Sequence, residues 1–378
     1  GLVRDQGVSE SPQGRGGGRP PNLLVIDGEN AFIVGVDLSI EQIQGVITDL
    51  HAQVRIRLDE AIPAGIAFPE AMHRANTIIR RMIDKAGIRP ASICGVGIAL
   101  TGLLGDHHAH ATRPSASTAT SFPLALRFPW RETQCDWEFG DLAGLPFFFS
   151  NTAHALANGE LWFGQGSRFD NFVCINVRRD SLATGIVIDG RPISGVSSHG
   201  GGFGHLTLDK NSPLQCRCGN YGCLEVLATG RGLEHNAAER LKSGEKSRLS
   251  TMTGGHPERI NDRMIFEAAR KGDKLAQAVL DEAAEYIGVG IAGAINLFQP
   301  QAIIVGGLQV DQAGESFFQR IQQTARQRAI DVMAKNVEVL PMSRAGDTVL
   351  FGAVSLVLQQ VLNLEIPLPS RVSPARPL

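Results

Sequence analysis

The stretch GHLTLDKNSPLQCRCGNYGCLE, residues 204–225, carries the pattern on which the fold assignment depends. It contains four side chains of the kinds that bind transition metals, which are His205, Cys216, Cys218 and Cys223. Gly219 and Gly222 permit the positive φ angles that let a short loop wrap around an ion. Three thiolates and one imidazole complete a tetrahedral Zn²⁺ shell and leave no position for a reactive water. The pattern therefore predicts one structural zinc ion.

The cysteine cluster is also compatible with two arrangements that hold no metal. In one, the three thiols would simply be buried together, and in the other they would be redox-active. The spacing Cys-x-Cys-Gly-x-x-Gly-Cys combines ligands with loop glycines, which favours a metal, and it lacks a Cys-x-x-Cys pair of the thioredoxin type. The remaining cysteines, Cys94, Cys135 and Cys174, lie in apolar or aromatic settings that favour reduced, buried thiols. No disulfide framework is predicted.

The composition excludes several classes of protein. The chain has 378 residues, a formal net charge of -2 and 43% hydrophobic residues. A near-neutral charge gives no global positive field that would mark nucleic acid or membrane as a partner. The first residues are polar and Gly-rich, and no apolar run reaches the roughly 18 residues of a membrane span. The expected location is the cytoplasm.

Strands and helices alternate along the first part of the chain. Residues 33–38 and 45–50 are β-branched runs that predict a hairpin. Residues 69–87 have apolar side chains at helical spacing, with Pro near the start and Gly at the end, and 93–100 is a predicted buried strand. Residues 103–135 are expected to be irregular. Strand, helix and strand in this order indicate a parallel α/β arrangement.

A second α/β series follows. Residues 263–297 predict two helices that are separated near Gly272. The other predicted elements of this series are a strand at 147–150, a helix at 152–164, strands at 172–177, 183–189 and 302–305, and a last helix at 351–362. Two series imply two lobes, with a cleft between them as the default ligand site.

The predicted domain organisation has four parts. Residues 1–22 are rich in Gly, Pro and Ser and are expected to form a flexible loop or arm. Residues 23–148 together with 349–364 are expected to form the N-terminal α/β lobe. Residues 149–348 are expected to form the C-terminal lobe with the zinc loop, and 365–378 a Pro-rich tail.

The metal-ligand stretch resembles the signature of the ROK family, which is named for repressors, open reading frames and kinases. That signature is a Gly-His pair followed by Cys-x-Cys-Gly-x-x-Gly-Cys-x-Glu, and residues 204–225 match it. The resemblance extends over about residues 23–362. It implies an actin-like, ribonuclease H-like sugar-kinase fold with two lobes, in which the C-terminal helix crosses back to the first lobe.

The resemblance also implies roles for individual residues. His205 would ligate zinc and face a sugar, while Asn151 and Glu225 match positions that bind sugar hydroxyls. Gly306 and Gly307 match the turn near the adenosine of a nucleotide. Asn151 would otherwise be a helix cap, and Glu225 a surface carboxylate beside the zinc loop.

Four positions depart from the pattern of the family's kinases. Thr152 replaces the Asp that acts as general base, and threonine has no useful basicity at neutral pH. The phosphate loop, Gly-Gly-Thr after an Asp in the kinases, is Leu-Ser-Ile-Glu within residues 37–41. A second phosphate turn is replaced by residues 178–182, RRDSL, in which the arginines leave phosphate binding open. Gly202 replaces a Glu of the sugar site. These changes argue against phosphoryl transfer.

The first 24 residues resemble the junction between a winged helix-turn-helix and the body of ROK repressors. A disordered Gly/Arg arm is the alternative that composition alone favours. Arg15 and Arg19 would touch DNA only weakly by themselves. The His-rich run at 107–110 is expected to be a polar loop rather than a set of metal ligands.

These observations predict the body of a ROK-type transcriptional regulator. It would bind a sugar or sugar derivative in the interlobe cleft and form a homodimer or a dimer of dimers, without kinase activity. DNA would be a partner only if a helix-turn-helix precedes the chain. Two alternatives are an ATP-dependent kinase of hexoses or N-acetylhexosamines with a divergent site, and a zinc-stabilised scaffold that binds no sugar.

Overall fold

The computed structural model describes residues 3–8, 22–26, 28, 30–63, 65–102, 121–126, 133–138, 140–195, 200–344 and 346–362. Its strands are β1 (Val3–Val8), β2 (Asn22–Ile26), β3 (Phe32–Leu38), β4 (Gln42–Asp49), β5 (Val54–Ala61), β6 (Ile93–Leu100), β7 (Ser121–Leu126), β8 (Thr133–Glu138), β9 (Phe147–Asn151), β10 (Phe172–Val177), β11 (Leu182–Ile188), β12 (Arg191–Pro192), β13 (Ala302–Gly306) and β14 (Glu338–Pro341). Its helices are α1 (Phe68–Ala86), α2 (Thr152–Phe163), α3 (Leu224–Ala228), α4 (Gly230–Lys242), α5 (Arg248–Met252), α6 (Asp262–Arg270), α7 (Lys274–Phe298), α8 (Leu308–Ala313), α9 (Glu315–Arg328), α10 (Asp331–Ala334) and α11 (Thr348–Val361).

The chain divides into two compact units. Unit 1 comprises Gly1–Ser150 and Ala353–Glu365, and unit 2 comprises Asn151–Gly352 and Ile366–Leu378. Each unit contains one five-stranded mixed sheet, so the α/β class predicted from the sequence is confirmed.

The sheet of unit 1 has the strand order β5-β4-β3-β6-β9. The predicted hairpin is confirmed, because β3 pairs antiparallel with β4, while β6 pairs parallel with β3. Six consecutive residues of β3 are buried, which requires cover on both faces of the sheet. Helix α1 contributes a buried stripe that includes Met72, Ile79 and Met82, and it ends at Gly87, whose φ of 63° forms a left-handed cap.

The sheet of unit 2 has the order β12-β11-β10-β13-β14. Strands β10, β13 and β14 are parallel, whereas β10 and β11 form an antiparallel pair. The predicted break near Gly272 is confirmed, since this residue has φ 78° and separates α6 from α7. The Asp273 carboxylate then caps α7 by accepting a hydrogen bond from the backbone N–H of Ala276 at 3.0 Å.

The structure differs from the sequence predictions at two places. Residues 3–8, expected to be part of a loop or arm, form β1 and pair antiparallel with β2. Part of the stretch 103–135, expected to be irregular, forms the hairpin of β7 and β8. Packing accounts for that hairpin, because the fully buried Trp137 ring packs against Phe149 at 5.3 Å between ring centroids. The sequence of the hairpin itself does not show that Phe149 packs against Trp137.

Several predicted segments lie outside the described residues. They are the interior of the N-terminal arm with Arg15 and Arg19, the histidines at 107–110, and the tail 365–378. No helix in the part of the chain that the structure describes is both long enough and apolar enough to cross a membrane.

Candidate metal centre and adjoining polar site

The four predicted metal ligands lie together in unit 2. The ligand atoms of the set His205, Cys216, Cys218 and Cys223 all lie within 4.8 Å of one another. The Cys216 Sγ atom is 3.5 Å from His205 Nδ1, and the sulfurs of Cys218 and Cys223 are 3.7 Å apart. A tetrahedral zinc with bonds of about 2.3 Å to sulfur and about 2.0 Å to nitrogen places two sulfurs about 3.8 Å apart and sulfur and nitrogen about 3.5 Å apart. The donor set therefore fits Zn²⁺ in chemistry, and these two separations match the tetrahedral values. The separation of the Cys218 and Cys223 sulfurs is too long for a disulfide.

Backbone hydrogen bonds shape the loop that carries the cysteines. Cys216 N–H donates to Asn220 O at 2.8 Å, and Leu224 N–H donates to Leu206 O at 2.8 Å, which aligns the histidine segment with the last cysteine. Gly222 has φ 63°, and a Cβ atom there would lie 1.7 Å from Asp209 O. The glycine is therefore required both by conformation and by the close approach of the backbone.

Burial controls the protonation of the cluster. Desolvation raises the pKa of the Cys216 thiol, and it raises the pKa of Cys223 to about 11. Metals bind the thiolate form of cysteine. The loop would therefore release protons on binding a divalent cation.

Glu225 follows the metal loop, residues 216–223, and lies in the first turn of α3. It is buried, with a relative exposure of 9%. Its Oε2 atom accepts a hydrogen bond from the backbone N–H of Leu182 at 3.0 Å, and its Oε1 atom is 3.7 Å from Cys216 Sγ. The alternative that Glu225 is a surface carboxylate is therefore wrong. The structure joins this carboxylate both to the metal cluster and to the end of the turn between β10 and β11.

Asn151 is a helix cap in the structure. Its Oδ1 atom accepts a hydrogen bond from the backbone N–H of His154 at 2.7 Å at the start of α2. The alternative role of Asn151 as a helix cap is thus present in the structure. Thr152, at the position of the kinases' general base, is the buried first residue of α2.

The start of α2 lies beside the 3-10 turn Gly202–His205. A Cβ atom on Gly201 would lie 3.1 Å from Ala153 Cβ, and one on Gly204 would lie 3.4 Å from Glu225 Cβ. The segments that carry the predicted sugar-binding residues are therefore neighbours within unit 2. A Cβ atom on Gly202 would meet no atom within 4 Å, so there is open space where the kinases carry a glutamate.

The turn between β3 and β4, which the resemblance aligns with the kinases' first phosphate loop, is closed by its own hydrogen bonds. Ser39 N–H donates to Gln42 O at 3.0 Å, and Gln42 N–H donates to Ser39 Oγ at 3.1 Å. Glu41 N–H also faces Ser39 Oγ, at 3.4 Å. Phosphate loops work by presenting free backbone N–H groups to an anion. Three N–H groups of this turn are instead directed at partners inside it.

The turn between β10 and β11 is filled by an ion-pair network. The three guanidinium nitrogens of Arg179 face Asp180 at 3.2 Å, Glu234 at 2.8 Å and Asp262 at 3.6 Å. Arg217, which lies between two cysteines of the metal loop, reaches Asp180 at 3.7 Å. The Arg179 guanidinium is thus paired with carboxylates of the protein. From the sequence, this side chain could equally have bound phosphate.

Gly306 is the last residue of β13, and Gly307 lies between this strand and α8. Gly307 has φ 111°, and a Cβ atom there would lie 2.3 Å from Val177 O. Backbone packing alone therefore requires glycine at 307, so its presence does not by itself indicate a nucleotide.

Sequence reasoning missed Glu234, Asp262 and the side-chain role of Arg217. Their partners lie far along the chain, and no local motif joins them. Only the two consecutive arginines at 178–179 gave a signal, since closely spaced cations are commonly paired with acidic side chains.

A family model, a relative and a solved structure each match most of the chain. The family model described as ROK family matches residues 33–360. A xylose repressor of Caldicellulosiruptor bescii is 25% identical over 363 residues, which cover 96% of this chain and 87% of the repressor. The crystal structure of a ROK family transcriptional regulator, a homolog of the E. coli MLC protein, superposes with a TM-score of 0.72 at 25% identity and covers 95% of this chain and 87% of that one.

A kinase of the same fold is about equally similar. The ROK family glucokinase from Streptomyces griseus, solved in complex with glucose and AMPPNP, superposes with a TM-score of 0.71 at 27% identity, covering 86% of this chain and 99% of that one. The two likenesses do not separate regulator from kinase, but the family model matches most of the chain. The chain belongs to the ROK family.

Proposed function

We propose that this chain is the body of a ROK-type transcriptional regulator that binds a sugar or sugar derivative, dimerises and does not phosphorylate its ligand. The observation that carries the proposal is the closed turn between β3 and β4. A phosphate loop must offer N–H groups to an anion, and the N–H groups of Ser39, Glu41 and Gln42 are directed at partners within the turn.

Two further features support the absence of phosphoryl transfer. Thr152 cannot accept a proton from a sugar hydroxyl, and loss of a general base alone reduces a rate by about 10²–10⁴-fold. Arg179 neutralises carboxylates of the protein rather than phosphate. The names of relatives such as the xylose repressor add support for regulation of sugar metabolism.

The proposed sugar site consists of Asn151, His205 and Glu225. An imidazole has a nitrogen on each side of its ring, so Nδ1 of His205 can face the thiolates while Nε2 contacts a ligand. The proposed zinc ion would fix that ring, which makes its role structural. The effector would then act by shifting the populations of two conformations, and any effect on DNA would follow from that shift.

The second candidate function is ATP-dependent sugar phosphorylation. It is favoured by the likeness to a glucokinase solved with glucose and AMPPNP. The sequence retains Gly306 and Gly307, which match the family's adenosine turn. A coupled assay that follows ADP release with hexoses and N-acetylhexosamines separates the two functions.

Restoring the general base is expected not to restore kinase activity. In the Thr152→Asp variant, the new carboxylate lies at the first position of α2, where a helix N-terminus stabilises negative charge, so the protein should fold. The turn at Ser39 stays closed, and we expect no sugar-dependent ADP release above that of the uncharged control Thr152→Asn. An increase of 10²-fold or more over this control would show that the phosphate turns still function.

A further inference from the structure

One ion pair joins the metal loop, residues 216–223, to the turn between β10 and β11. Arg217 NH2 is 3.7 Å from Asp180 Oδ1. The Asp180 side chain is only 9% exposed, and the Arg217 side chain is 31% exposed. The contact is therefore partly shielded from solvent, although it joins a loop to a turn.

Arg217 lies between two candidate metal ligands, so a bound ion would influence its contact with Asp180. The two residues beside it in the chain are Cys216 and Cys218, both members of the candidate metal set. When these neighbours are held by a common ion, the backbone of Arg217 is fixed at both ends. Without a bound ion, Cys218 is an exposed thiol on a short loop. The backbone of Arg217 would then be held less firmly, and its side chain would be less well placed to reach Asp180.

The turn receives a second contact from the same segment. Leu182 N–H donates to the Glu225 carboxylate at 3.0 Å. The metal segment thus holds the turn at two points, through Asp180 by charge and through Leu182 by a backbone hydrogen bond. The second of these contacts is made by Glu225 itself, a residue of the proposed sugar site.

The turn is also connected to helices α4 and α6 by hydrogen bonds and an ion pair. Arg179 O accepts a hydrogen bond from Gly230 N–H at 2.8 Å, and the Arg179 side chain pairs with Glu234 of α4. The same Glu234 oxygen accepts from the backbone N–H of Asp262, at the start of α6, at 3.2 Å. A continuous set of polar contacts therefore runs from the metal loop to the first turns of α4 and α6.

We propose that Arg217 is a positioning residue that couples the metal-bound shape of residues 216–223 to the turn 178–181, and through Leu182 to the orientation of Glu225. The inference rests on the proposed metal site but not on DNA binding or on the identity of a sugar. Coupling between the loop and the turn is tested by measuring how one depends on the other.

The test compares hydrogen exchange in the zinc-loaded and the chelated protein, for the wild type and for Arg217→Gln. The amides observed are Arg178, which donates to Ser181 O, and Leu182, which donates to Glu225. In the zinc-loaded protein, we expect Arg217→Gln to speed their exchange by about two- to fivefold, the effect of a partly exposed ion pair. In the chelated protein, we expect wild type and variant to exchange at the same, faster rate.

The control variant is Arg168→Gln, which removes an exposed ion pair elsewhere in unit 2, with Glu338 at 3.4 Å, and should leave these amides unchanged. In the zinc-loaded protein, the double variant Arg217→Gln with Asp180→Asn should exchange no faster than Asp180→Asn alone, because Asp180→Asn already removes the ion pair with Arg217. An unchanged exchange rate in zinc-loaded Arg217→Gln would overturn the proposal. So would an equal change with and without zinc, or a purified wild-type protein that takes up no zinc.

Discussion

Removal of the metal by a strong chelator is expected to lower the melting temperature of the protein by about 8–16 °C. A ligand present at about 1,000 times its Kd contributes about 4 kcal/mol to the stability of the folded state. For a domain of about 150–250 residues, each kcal/mol corresponds to about 2–4 °C. Cys216 and Cys223 are buried in a small apolar cluster, so a metal site built from them would form only in the folded protein and would stabilise it.

The experiment has a matched pair of cysteine variants. Cys223→Ala should reproduce the effect of the chelator and abolish its further action, whereas Cys94→Ala, in unit 1 and outside the cluster, should bind metal normally. Metal content is measured on the same samples by mass spectrometry. A melting temperature that is the same with and without chelator, at zero metal content, would contradict the metal site.

The second large effect is expected from Gly202→Glu, which restores the carboxylate that the family's kinases carry. Open space surrounds the Cβ position, and Gly202 is not among the described residues with positive φ, so a glutamate fits without strain. A hydrogen bond to a charged group contributes about 1.5–3 kcal/mol, which corresponds to about 10- to 100-fold in affinity. Calorimetric titration with hexoses and N-acetylhexosamines measures this gain.

Gly293→Glu serves as the control for the added charge. Gly293 lies in α7 within the same unit, and a Cβ atom there also meets nothing within 4 Å. This variant should bind sugar as the wild type does. If neither the wild type nor Gly202→Glu shows saturable binding of any sugar, the protein is a zinc-stabilised scaffold and the proposed sugar site is wrong.

The metal cluster could be predicted from sequence because its signal is local. Three of its four ligands lie on one short loop with glycines at Gly219 and Gly222, so their spacing already limits their geometry. The β3–β4 hairpin and the break at Gly272 were predictable for the same reason. Runs of β-branched residues favour a strand, and a glycine favours the end of a helix, so both signals concern the local backbone conformation.

The contacts that decide function could not be read from the sequence. The chain shows that Ser39 follows the first strand, but not that its hydroxyl accepts from Gln42 N–H and closes the turn. Two basic residues at 178–179 were compatible with phosphate, and only the fold brings Glu234 and Asp262 to Arg179. The β7–β8 hairpin was missed because its stability depends on the burial of Trp137, and β1 because its partner β2 lies beyond a Gly-rich stretch.

The central claim is that this ROK family body binds a ligand without phosphorylating it. The most direct measurement is ADP release by the wild-type protein with ATP, Mg²⁺ and the panel of hexoses and N-acetylhexosamines. We expect a rate of ADP release that is no higher with sugar than without it. Saturable, sugar-dependent ADP release that disappears in Asn151→Ala would contradict it and identify the protein as a kinase.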